Sequence, residues 1–387
     1  MDYGSIDYDR ILERSGELGT INITLIEKLL AELNFSSLQE FVDYFDINVP
    51  SIVHEMSLSS KVTLGFFYSL VFVLAVAGNI LVIMAVVSNK TMQTVTNVFI
   101  VSLAISNFMI AIFCIPFTFI EATTAEWVLG SLMCKILPYM TTVPVTSNIL
   151  TLTCIAVNRY YAVCFPLQNK VKMTKCRAVF IAVIIWLVAM AAMSPQLFVL
   201  QTNIIRDVIW DKEYVICMEV WPRKEQKKIF TFFIVGSFYL LQIGIMTGLY
   251  ARIGHRLWAK NAVGPSQIHP EYLAASLKRK RRATLMLILV VVLFAVCWAP
   301  FQVVSVIREF PPLPDNETNR LMLAVVQLIA FCDTCINPFI YAFLNENFRK
   351  RFISSLRCKR RKRKRVVLQA QKQLYHTKNI YIAESII

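Results

Sequence analysis

Residues 321–343 read LMLAVVQLIAFCDTCINPFIYAF and contain a single charged side chain, Asp333. A helix crosses the hydrocarbon of a bilayer with about 20 mostly apolar residues, so this stretch is long enough. Its apolar residues run on without alternating. That favours a helix over a barrel strand, the two structures that leave no backbone group unpaired in lipid. Towards the N-terminus, six further runs of the same kind lie near 62–87, 96–121, 132–165, 178–200, 229–256 and 283–307. The expected fold is therefore an all-α membrane protein. A seven-helix bundle spans 61–344, preceded by a segment 1–60 and followed by a tail 345–387. A hydrophobic fraction of 56% and a mean hydropathy of +0.56 exclude a soluble domain of 387 residues.

Charge sets the orientation. Residues 1–60 hold eleven Asp and Glu against three Lys and Arg, whereas 349–365 hold eleven basic residues and no acid. Lys170, Lys172, Lys175 and Arg177 lie in the connection after the third run, and Lys278-Arg279-Lys280-Arg281-Arg282 precedes the sixth. Basic loops stay cytoplasmic. The N-terminus is thus expected outside and the C-terminus inside, as an odd number of spans requires. The net charge of +15 is a topology signal; no nucleic-acid partner is expected, because the basic runs abut the membrane. The first twenty residues are acidic and lack an apolar core, so the first span is expected to act as the insertion signal.

Of ten cysteines, only Cys134 and Cys217 fall on the oxidising, outer side, and a disulfide between them is expected. Asn22-Ile23-Thr24, Asn34-Phe35-Ser36 and Asn316-Glu317-Thr318 are outward-facing glycosylation sequons. Asn89-Lys90-Thr91 also matches, but topology places it inside. Thr24-Leu25-Ile26-Glu27 and Ser37-Leu38-Gln39-Glu40 are capping boxes ahead of short apolar patterns, which suggests a small helix–turn–helix over 21–47. Each helix is too short to persist alone, so a disordered tail is the competing reading.

Polar residues inside spans are costly and tend to be functional. Here they are few and ordered: Gly78-Asn79 in the first span, Leu103-Ala104-Ile105-Ser106-Asn107 in the second, and Asn158-Arg159-Tyr160 closing the third. Trp186 follows in the fourth, Cys297-Trp298-Ala299-Pro300 in the sixth and Asn337-Pro338-Phe339-Ile340-Tyr341 in the seventh. With these motifs the chain resembles the rhodopsin-like (class A) G-protein-coupled receptors over about residues 55–358. Met92-Gln93-Thr94-Val95-Thr96-Asn97, Phe113-Cys114-Ile115-Pro116, Thr153-Cys154-Ile155-Ala156-Val157 and Phe294 to Phe301 narrow the likeness to the RFamide neuropeptide receptors. Within that group it resembles the receptors for pyroglutamylated RFamide peptides.

The resemblance implies a plasma-membrane receptor, not an enzyme, with no cofactor. An amidated peptide would bind outside and a heterotrimeric G protein would be activated inside. Arrestin is an expected further partner. Peptides ending in Arg-Phe-amide are cationic, so a buried carboxylate suits the arginine. Glu219 and Glu309 match acids of the family and are the candidates, with solvated loop charges as the bland alternative. Deeper, Thr118, Thr141, Gln302 and Gln327 would bond the amidated end, and Trp298 and Phe301 would wall the ring. The family favours Gln where Thr141 stands. Arg159, Tyr160, Tyr250, Pro300, Pro338 and Tyr341 carry over as switch residues. No Asp lies in 132–158 and no Lys in 321–343, which excludes an amine receptor and a retinal Schiff base.

Five positions depart from the family pattern here. The second span has Asn107 where the family has Asp, and the seventh has Asp333 where it has Asn. This reads as relocation of one buried carboxylate within a polar centre of Asn79, Asn107, Asn148 and Asp333, serving sodium or acting as a protonatable switch, with loss of any ion site as the alternative; Asn337 belongs with the switch residues. Asn158 replaces the acid that precedes Arg159, and Lys280 stands where some relatives place an acid, so raised agonist-free signalling is expected. Gln242 replaces a proline of the fifth span, which predicts a straighter helix there. At the cytoplasmic end, 345–352 resembles a short amphipathic helix with Phe348 and Phe352 at the lipid interface. Cys358 is a candidate palmitoylation site, with an unmodified thiol as the alternative. The basic run 359–365 should lie on anionic lipid. Glu384-Ser385-Ile386-Ile387 could add a strand to a PDZ domain.

Two other classes compete with a receptor. A transporter or channel predicts paired intramembrane charges, broken helices or repeats, whereas the sequence has no internal repeat and only Arg159 and Asp333 as clear midspan-to-inner charges. A membrane enzyme needs a metal cluster or an activated nucleophile, and neither spacing is present. Among receptors, a neuropeptide FF-like or neuropeptide Y-like ligand is the runner-up.

Overall fold

The computed structural model describes residues 35, 56–124, 126–165, 173–207, 212–259, 270–310, 317–346 and 348–353. The sequon asparagines Asn22, Asn34 and Asn316, the helix–turn–helix apart from Phe35, Cys358, the basic run and the C-terminal tetrapeptide lie outside the described residues.

Among the described residues, seven helices are long and apolar enough to cross a membrane. They are α1 (Leu58–Val87), α2 (Val95–Thr123), α3 (Gly130–Cys164), α4 (Lys175–Val199), α5 (Lys224–Trp258), α6 (Leu277–Ile307) and α7 (Glu317–Leu344). Each overlaps its expected run. Local chemistry sets several starts. Ser57 caps α1 by accepting from the Ser60 amide, Thr94 caps α2 through Asn97, and Thr174 caps α4 through Arg177. Large apolar side chains such as Phe66, Val73, Phe180, Leu187, Phe233 and Val296 point outward, as lipid-facing residues of a bundle do.

Three of the described helices are interrupted. In α2 the helix breaks at Cys114, just before Pro116. In α4 a turn at Ser194-Pro195 separates Lys175–Met193 from Gln196–Val199. In α5 a π turn occupies Gly236–Leu240. The absence of proline at Gln242 therefore does not leave a regular helix, contrary to the sequence expectation. The Gln242 amide nitrogen donates to the Ser237 carbonyl, five residues back, at 3.1 Å, which supports the wide turn. Its oxygen accepts from Thr153 of α3 at 3.0 Å, so the side chain also ties α5 to α3.

The seam between α1 and α7 is built by complementary shapes. Proline 338 has no N–H, which frees the Thr334 carbonyl four residues back. Asn79 donates to that carbonyl at 2.9 Å. Beside it Gly78 packs on the proline ring: a Cβ at Gly78 would lie 2.8 Å from the Pro338 Cγ. Tyr68 adds a bond to the Ala324 carbonyl at 2.9 Å.

Between α4 and α5 the chain forms an antiparallel hairpin, β1 (Leu200–Asp207) with β2 (Lys212–Glu219), in the register Leu200 to Glu219 and Thr202 to Cys217. The expected disulfide joins Cys217 to Cys134 at the start of α3, with Cα atoms 5.6 Å apart. Trp127 is buried with it, donating its indole N–H to the Gly130 carbonyl at 2.8 Å. Gly130 has φ +77°, a left-handed conformation that glycine adopts without strain. The hairpin is thus fixed across one end of the bundle.

Candidate functional site

At the disulfide end three elements converge on two carboxylates. Glu219 closes β2, and Glu309 follows the last turn of α6. The Glu309 side chain is only 6% exposed, while that of Glu219 is 36% exposed. Thr231 of α5 donates to a Glu309 oxygen at 2.9 Å, and the Trp221 indole donates to Glu219 at 2.9 Å. One turn before Thr231, the Lys227 ammonium lies 3.9 Å from an oxygen of each acid. The bland reading of a solvated loop charge therefore fits Glu219 in part and Glu309 not at all.

Below this cluster, Thr118 is buried, and Thr141, Gln302, Gln327 and Phe301 are half-buried. Thr141 bonds back to the Leu137 carbonyl of its own helix at 2.9 Å, so its hydroxyl hydrogen is already used. Cys114, at the break in α2, reaches the Met140 carbonyl that Pro144 leaves free, at 3.6 Å. Trp298 is buried between Phe294, stacked at 6.0 Å, and Phe301, edge-on at 5.9 Å. No hydrogen bond joins Gln302 or Gln327 to these groups among the described residues.

The polar centre forms as two pairs. Asn148 donates to Asn107 at 2.7 Å, and the Asn337 amide donates to the Asp333 carbonyl at 3.1 Å and its carboxylate at 3.4 Å. Asp333 is fully enclosed, and the Trp298 indole lies beside it without reaching hydrogen-bond geometry. The oxygens of Asn79, Asn148 and Asn337 are buried and unpaired. The unpaired nitrogens of Asn107 and Trp298 fit an acceptor such as water.

At the far end of α3, Arg159 is half-buried, and among the described residues no acid pairs with it. Its Nε has no hydrogen-bond partner. Asn158 makes no hydrogen bond to it either, in keeping with the loss of the usual acid. Tyr160 packs edge-on against Tyr161 and Phe165. Tyr250 and Tyr341 are both buried, with no hydrogen bond between them. Tyr341 instead packs on Phe348 at 5.7 Å. That corrects one expectation: Phe348 is fully buried against the bundle rather than set into lipid, because an aromatic ring is already there to receive it.

A family described as the 7 transmembrane receptor (rhodopsin family) matches residues 78–341. The chain belongs to that family. It is 39% identical to a QRFP-like peptide receptor of Branchiostoma floridae over 341 residues, covering 88% of this chain and 89% of the other. It is 37% identical to the pyroglutamylated RF-amide peptide receptor of Mus musculus over 345 residues, 87% and 79% of the two chains. A neuropeptide FF receptor 2 of Mus musculus is 33% identical over 328 residues, 80% and 76% of the two. The protein is thus a multi-pass plasma-membrane receptor and not an enzyme.

Several features of this receptor escape a reading of single residues. The α6 end is fastened by Arg281, which donates to the Leu257 carbonyl at 2.9 Å and stacks over Trp258. Arg282 reaches Glu346 at 3.0 Å and the Phe343 carbonyl at 3.0 Å. The basic run 278–282 signals topology so strongly that these partners are hidden in it. Lys227 was equally hidden. Its place one helical turn before Thr231 was the available signal.

Proposed function

We propose that this receptor binds an amidated, cationic RFamide-type peptide at its disulfide end and activates a heterotrimeric G protein at the other. The single observation that carries the reading is Glu309, a carboxylate enclosed at the mouth beside a second acid. Burying a charge is unfavourable unless something pairs with it, so an enclosed acid at a ligand mouth asks for a cation. The names of the two relatives above support an RFamide ligand, and the neuropeptide FF relative is less similar. The disulfide end would face outward, in keeping with the acidic residues 1–60 and the basic 278–282 segment near the opposite end. Trp298 would feel the ligand through Phe301 and pass a change in packing to Asp333 and Asn337. In thermodynamic terms the peptide must bind the signalling form more tightly than the resting one. Glycosylation at the three sequons, acylation of Cys358, and arrestin and PDZ partners extend the same reading.

The test is a cell-based nucleotide-exchange assay with Arg-Phe-amide peptides and their free acids. Amidated forms should be active and free acids weak. Changing Glu219 and Glu309 together to Gln should lower potency about thirtyfold or more, since losing one partner of a buried charge pair costs about 2–5 kcal/mol. Unchanged potency in that double variant would sink the reading.

A further inference from the structure

Lys227 is the least expected charge in the molecule. It extends from α5 between the two acids that the proposed ligand arginine needs, 3.9 Å from each. Both separations exceed hydrogen-bond range, so neither carboxylate is held by a directional contact from it. The partners differ in freedom. Glu309 is enclosed and fixed by Thr231, whereas the Lys227 side chain is 38% exposed. A lysine on a flexible four-carbon stem can leave for water, while Glu309 cannot.

Building on the acidic-mouth reading above, we propose that Lys227 stands in for the peptide's arginine in the empty receptor. It is a built-in competitor that must swing out before a cationic ligand can engage Glu219 and Glu309. The exchange favours a guanidinium, whose planar fork can bond carboxylates bidentately at about 2.7–2.9 Å, where the ammonium makes only long contacts. Lys227 therefore acts as a specificity filter. A ligand with a neutral side chain cannot displace it and leaves the acids occupied, and a lone ammonium gains little by replacing another. The resting cluster carries two acids and one base, a net charge of −1, which still attracts a cation while limiting indiscriminate binding of basic peptides.

The measurement is the potency of an Arg-Phe-amide peptide and of its citrulline analogue, which is neutral but similar in shape. Both are applied to wild type, Lys227→Met and Lys227→Gln, with surface expression quantified for each. Removing the lysine should raise the potency of the arginine peptide about twofold to fivefold, the upper part of the range for partly exposed ion pairs. The citrulline peptide should change less than about twofold on the same scale. A fall in arginine-peptide potency in both variants would overturn the inference, because Lys227 would then be holding the acids in place for the ligand. An equal rise for both peptides would overturn it too, since charge competition would not be the cause. Wild type that cannot tell arginine from citrulline would instead sink the acidic-mouth reading, and this inference with it.

Discussion

The two ends of the bundle are fastened in opposite ways. The disulfide end has a covalent link, a hairpin packed on Trp127, and an enclosed acid with a hydroxyl and an ammonium around it. Among the described residues, the Arg159 end has an arginine with no acid beside it, an exposed ion pair of Arg282 with Glu346, and bonds from Arg281 and Arg282 to the Leu257 and Phe343 carbonyls. Substitutions at the first end should therefore change folding and ligand affinity, and those at the second should change how often the receptor signals unprompted. The first end is covalently tied and charged, while the second leaves its half-buried arginine without an acid among the described residues.

The largest expected effect lies at the disulfide end. Cys134→Ser removes the link between α3 and the hairpin. Loss of a native disulfide typically costs about 2–5 kcal/mol, so surface expression and thermal stability should drop sharply in a ligand-free melting assay. Retained stability would mean that Trp127 packing alone fixes the hairpin. Between the ends, exchanging sodium for choline should change agonist affinity in wild type by a coupling of about 1–3 kcal/mol, and Asp333→Asn should abolish the response. A wild type blind to sodium would remove the ion from the polar centre. At the Arg159 end, Asn158→Asp restores an acid beside the arginine. A charge-assisted hydrogen bond is worth about 1.5–3 kcal/mol, so agonist-free nucleotide exchange should fall about tenfold or more. Equal basal rates would show that Arg159 is restrained by other means. The smallest effect is expected from Glu346→Gln. Both partners of its pair are exposed, worth about 0.2–1 kcal/mol, so basal exchange should rise no more than about fivefold. A larger rise would place the main latch at Arg282 and reverse the ranking.

The spans, their number and the disulfide were legible in the sequence, because lipid imposes a length and a hydropathy that no other environment demands. The conformation within spans was less so. Gln242 shows why: a missing proline says that one cause of irregularity is gone, and the π turn is another cause. Glu309 was legible as an acid at a helix end, but its enclosure depends on Thr231 and Lys227 across a helix boundary. Phe348 looked like a lipid-facing residue by spacing alone. Its burial depends on Tyr341, a motif residue with a second use. Local pattern gives element and orientation, while partnership across elements needs coordinates.

The extra residue taken up in the π turn has a consequence for aim. Every position beyond Leu240 is offset around the fifth helix by about 100° relative to an unbroken winding. Lys227 and Thr231 precede the turn and Tyr250 follows it, so one insertion keys the azimuth of the mouth to that of the floor. Tyr239, inside the turn, pegs this setting to the neighbouring helix by donating to the Ala295 carbonyl at 2.6 Å. Deleting a single residue from 236–240 would rewind the helix and leave one end or the other facing the wrong way, however intact each looked by itself.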